Sequence, residues 1–119
     1  MTEASARGSF RSELVDCLRR LAAPADVQTQ YLRDLGVYPS ADELALELHE
    51  LVLLLRGKVM AGELSITEKA AVERLGRQFE SFSGRRKGSL WTVDALASAG
   101  EWKEVRARAS ECLSVLNET

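Results

Sequence analysis

His49 is the single imidazole in a chain of 119 residues, and it lies among Glu43, Glu47 and Glu50. Any metal centre or proton-transfer site would have to be built around this group. A di-iron helical bundle needs Glu-x-x-His, so that both ligands project inward together. Here the residue three before His49 is Leu46, and the chain holds no second motif of that kind. A zinc site on one helix needs His or Cys four residues apart, which is also missing. These carboxylates therefore read as a solvated acidic face, with no metal expected.

The nucleophiles fare no better. Cys17 and Cys112 are the only thiols, neither lies near His49 in sequence, and both fall on apolar helical faces. A thiolate is disfavoured in such surroundings, so both read as core cysteines in reduced form. A Ser-His-Asp or Cys-His arrangement would have to use His49 as its base. Gly84, Arg85, Arg86, Lys87, Gly88 and Ser89 contain the residue types of a phosphate-binding loop. They lack the G-x-x-x-x-G-K-[ST] order and a strand before it. No enzymatic activity and no cofactor are expected.

The elements that carry these residues read as helices throughout, with no convincing strand. A first helix beginning near Ser9 or Ser12 puts Phe10, Leu14, Cys17, Leu18 and Leu21 on one face, leaving residues 1–8 flexible. Pro24 restarts the chain as the first residue of a shorter helix carrying Val27, Tyr31 and Leu35, which Gly36 ends. Pro39 holds Tyr38 out of helical geometry. Ser40 and Glu43 then spell S-x-x-E, the capping box of a third helix.

That third helix is expected to run unbroken from about Ala41 to Met60, as the spine of the fold. Its main face is Leu44, Leu48, Leu51, Val52, Leu55 and Val59, and Leu46, Leu53 and Met60 recur every seven residues on nearly the opposite side. Thr67 is placed as the cap of a fourth helix, with Ala71, Val72, Leu75, Phe79 and Phe82 inward. A short helix spans Thr92 to Ala99, and the last presents Trp102, Val105, Ala109, Cys112, Leu113 and Leu116. Short connections favour one all-α domain over residues 1–119, a compact bundle of about five to six helices.

Composition agrees with a folded, soluble chain: 45% hydrophobic and 29% charged residues. The N-terminal residues lack the apolar core of a secretory signal, and the longest aliphatic run, Leu51 to Leu55, is too short to span a membrane. A cytoplasmic protein is expected. The net charge of −2 conceals an asymmetry, with −4 over residues 38–68 and +4 over residues 69–88.

Two surfaces follow. Glu43, Glu47 and Glu50 flank the Leu46/Leu53/Met60 stripe, which Asp42, His49 and Arg56 edge. The plainer expectation for the stripe is a second core face. An exposed Leu53 would instead make it an apolar groove rimmed by carboxylates, suited to a basic protein. Arg74, Arg77, Arg85, Arg86 and Lys87 form the other surface, a candidate phosphate contact. Residues 67–76 resemble the first helix of a helix-turn-helix, but the same helix continues through Phe82 instead of turning.

With no reactive centre in view, the expected function is protein interaction through Asp42, Glu43, Leu46, Glu47, His49, Glu50 and Leu53. A small acidic inhibitor of the immunity type, binding a cationic protein, is the concrete form. A nucleic-acid regulator using the basic segment is the alternative.

Overall fold

Seven helices are present among the described residues, in an all-α bundle. The computed structural model describes residues 2–38, 40–82 and 90–117, with side chains from residue 10 onward. Helix α1 spans Thr2–Ala22, α2 Ala25–Leu35, α3 Asp42–Val52, α4 Leu55–Met60, α5 Ile66–Glu80, α6 Val93–Ser98 and α7 Gly100–Val115. Four of these close a ring in which α1 packs on α7, α7 on α5, α5 on α3 and α3 on α1. Helices α2 and α6 pack together beside it, against α1 and α7 respectively.

The apolar periodicity explains the ring. The five α1 residues expected inward, the five of the α5 segment and the six of α7 are all buried. At one end Phe79, Phe82, Trp91 and Trp102 form an aromatic box with ring centroids 5.2–6.3 Å apart. The Trp102 indole donates to the Leu90 carbonyl at 2.7 Å, so its one polar atom is satisfied in the core.

Several boundaries differ from the sequence reading, each for a physical reason. Helix α1 begins at Thr2 and not at Ser9 or Ser12. Ala, Glu and Arg dominate the preceding residues, and such residues extend a helix already nucleated by its packed part. In α2 the inward pair is Gln28 and Leu32, while Val27 and Leu35 are exposed. Gln28 takes the inward position because its amide donates to the Arg20 and Leu21 carbonyls, at 3.0 and 3.1 Å, at the end of α1. Those groups have no intrahelical partner, and a buried side chain satisfies them.

The expected long helix over 41–60 is broken at Leu53 and Leu54 into α3 and α4. There the Leu54 N–H donates to the Leu51 carbonyl at 3.0 Å, a tighter bond than the helical one. No glycine or proline marks the break. It falls where the neighbours change, since α3 packs between α1 and α5 whereas α4 packs on α5.

The capping box is also elsewhere. Ser40 forms an isolated bridge with Thr92, its hydroxyl donates to the Asp42 carboxylate, and Ala41 becomes an N-cap without a side-chain bond. The Ala41 N–H donates instead to the Trp91 carbonyl at 2.9 Å, which anchors the start of α3 to the segment before α6. The box forms at α5: the Ser65 hydroxyl accepts from the Glu68 N–H at 3.0 Å, and the Glu68 carboxylate accepts from the Ser65 N–H at 2.9 Å. Ser65, not Thr67, is the cap.

Glu68 also accepts from Arg11 at 3.2 Å. Burial works to raise its pKa, but the Ser65 and Arg11 bonds outweigh it and hold the carboxyl below the ordinary glutamate range. A carboxyl depressed by folding contributes stability above its unfolded pKa, and that contribution fades as pH falls through the folded one. The stability of Glu68→Gln, followed by denaturant midpoint, will therefore fall less between pH 5 and pH 3 than that of the parent.

Candidate functional site

Helix α3 packs against both α1 and α5, so its faces have different fates. Leu44 and Leu48 are buried. Leu46, Leu53 and Met60 are not: they are 51%, 69% and 80% exposed. The stripe is therefore not a second core face, and the exposure of Leu53 decides that question. Asp42, Leu46, His49 and Leu53 recur at i, i+4, i+7 and i+11, which places them along one side of the helix.

Beside that side runs a groove of about 540 Å³ between α3 and α5. Ala45, Leu46, Leu48 and Val52 line one wall, Gly76 and Phe79 the other, and Trp91 closes one end. The two helices run in opposite directions, because Trp91 contacts Phe79 and Phe82 near the end of α5 while its carbonyl holds Ala41 before α3. Gly76 keeps the wall low, and a methyl group there would stand 3.4 Å from Val52 Cγ2. Asp42, His49, Glu73, Arg77 and Glu80 form the rim. Glu73 pairs with Lys69 at 2.9 Å.

The groove brings together three residues expected from the sequence to bind a partner: Asp42, Leu46 and His49. Leu53 continues their line beyond it. Glu50 is exposed and Glu43 half-buried on the flank. Glu47 is engaged within the molecule. Its carboxylate accepts from Arg20 at 3.2 Å and from the Tyr31 hydroxyl, while the Arg20 guanidinium lies 4.7 Å from the Tyr31 ring centroid. Burial first, and the bond to Glu47 second, push the Tyr31 pKa up to about 12. This cluster ties α1, α2 and α3 together.

Two of the basic residues, Arg74 and Arg77, lie three apart on α5. Arg77 lines the groove, whereas Arg74 lies close enough to Cys112 of α7 to act on its thiol. Arg85, Arg86 and Lys87 fall outside the described residues. Residues of the α5 wall were missed in the sequence reading. The available signal was Gly76, since a lone glycine inside a strong helical pattern marks a packing or contact requirement.

The chain matches no protein-family model, no curated protein and no solved structure.

Among the described residues, groove and flank contain no nucleophile beside a base. Cys17 and Cys112 are buried, and burial raises their pKa values to about 12 and about 11. The Cys112 thiol donates to the Ala71 carbonyl at 3.3 Å. Both therefore stay protonated and inert at neutral pH. Among the described residues no three His, Cys, Asp or Glu side chains come together to hold a metal ion.

Proposed function

We propose that this chain is a non-enzymatic interaction module that binds a cationic protein through the exposed side of α3, as a small acidic inhibitor of the immunity type would. The observation carrying this reading is Leu53, exposed in line with Leu46 beside an apolar groove. Large aliphatic side chains set in a row along an open groove lower their free energy by burial against a partner. Asp42, Glu43 and Glu50 border them, and Glu80 faces them from α5. An acidic border steers a basic surface toward the patch and fixes its orientation.

A nucleic-acid regulator using the basic segment is the alternative; of its described residues, Arg77 lies on the rim of the same groove. A cytoplasmic setting belongs to the same proposal. No helix among the described residues is long and apolar enough to cross a membrane.

The test is capture from a lysate of the native host, with the wild-type chain and the Leu46→Asp/Leu53→Asp variant side by side. Both positions are exposed, so the variant is expected to keep the parent's circular dichroism and melting behaviour. Retention of a basic protein by the wild type, reduced at least about tenfold by the variant, supports the reading. Equal retention by both chains, or retention of nucleic acid alone, refutes it.

A further inference from the structure

The groove between α3 and α5 has a shape and a charge pattern that specify its occupant more closely. Its walls are helices whose backbone N–H and C=O groups are used within the helices themselves. A strand or irregular segment laid there would leave its own polar backbone unpaired against apolar side chains. A helix satisfies its backbone internally and needs only a trough for its side chains. Ala45 and Gly76, small residues on facing walls, provide that trough, and Phe79 and Trp91 give it an aromatic end. The Asp42–Leu53 side of the molecule is about 17 Å long at 1.5 Å per residue, room for roughly three helical turns.

Charge sets the chemistry of that helix. With Glu73 occupied by Lys69, the rim retains Asp42 and Glu80 against Arg77. Asp42 and Glu80 flank the end where Trp91 lies, because the start of α3 and the end of α5 meet there. A cation at that end meets two carboxylates and an indole, and guanidinium or ammonium groups favour both.

We propose that the groove takes an amphipathic α-helix of the partner, its apolar face over Ala45 and Gly76 and its Lys or Arg side chains against Asp42 and Glu80. This rests on the interaction reading above and deepens it from a cationic protein to a cationic helix.

The probes are two capped peptides of about 14 residues with the same helical pattern of Leu and Phe, one with Lys at the polar positions and the other with Glu. Each is titrated into the isotope-labelled chain and followed by amide and indole chemical shifts. The Lys peptide is expected to shift Ala45, His49, Gly76 and the Trp91 indole. The Glu peptide is expected to bind at least about tenfold more weakly. Asp42→Asn with Glu80→Gln should weaken the Lys peptide about fivefold, with the loss shrinking as salt is raised.

Equal binding of the two peptides, shifts confined to other faces, or no binding of the Lys peptide at about 1 mM would overturn the inference. The two proposals fail separately. A partner lost on Leu46→Asp/Leu53→Asp, with no Lys-peptide binding in the groove, sinks the helix and spares the interaction reading. Lys-peptide binding in the groove, with a captured partner indifferent to those substitutions, does the reverse.

Discussion

Trp102→Ala will lower the unfolding free energy by about 3–5 kcal/mol, read from the shift in denaturant midpoint at unchanged slope. Trp102 is fully buried and meets Phe79, Phe82 and Trp91 at centroid distances of 5.5, 5.3 and 6.0 Å. Removing the indole leaves a cavity where α5, α7 and the Leu90–Trp91 segment converge. It also strands the Leu90 carbonyl, which accepts from the indole N–H. Set against a typical domain stability of about 5–15 kcal/mol, this is a large fraction of the total. Trp102→Phe keeps a ring in place and loses the N–H, so its cost is expected at about 1–2 kcal/mol. A loss for Trp102→Ala below about 1 kcal/mol would show that the aromatic box is not the packing centre.

Gln28→Leu will cost about 2–3 kcal/mol although it makes the core more apolar. Gln28 is 1% exposed. Its amide N–H groups close the end of α1, and its carbonyl accepts from Arg106 at 3.3 Å. Arg106 donates in turn to the Leu96 carbonyl at 2.8 Å, so α1, α2, α6 and α7 meet through one polar chain. Leucine fits the space but removes the Gln28 donor from the Leu21 carbonyl, leaves the Arg20 carbonyl with only its 3.3 Å bond from the Ala23 N–H, and takes an acceptor from the guanidinium. Arg106→Met alone should also destabilise, and the double variant should cost less than the sum of the two. Strict additivity would mean that the two side chains act independently.

The same pair marks a limit of local reading. The partners of Arg106 come from α2 and α6, and no local pattern announces them. The inward faces of α1, α5 and α7 were legible because each repeats apolar residues at helical spacing over several turns. The α2 face was misread for the opposite reason. A glutamine that satisfies a helix end outranked two aliphatic residues for the buried position, a tertiary effect that local hydrophobicity does not register.

Capping shows a different limit. Ser40 and Ser65 both begin S-x-x-E, and only the second forms the box. Ser40 is drawn into a bridge with Thr92, more than fifty residues away in sequence. The break after Val52 likewise reflects the neighbours of α3 and α4, since nothing in Leu51–Leu55 disfavours helix strongly.

At the candidate site, the α3 half was visible as an apolar stripe with an acidic border. The α5 half was not, because Glu73, Gly76 and Glu80 look like the ordinary outer face of an amphipathic helix. Only the pairing of the two helices turns them into a wall. Glu47 moved the other way, from the acidic border into an internal cluster with Arg20 and Tyr31.

The central claim is that the exposed side of α3 and the facing wall of α5 receive a protein partner. Hydrogen–deuterium exchange on the wild-type chain, alone and saturated with the protein it captures, tests this most directly. The claim predicts slowed exchange over residues 42–53 and 73–80, with α2 and α6 unchanged. Protection confined to α2, α6 or the outer side of α7, with the α3 and α5 segments exchanging as in the free chain, would contradict it.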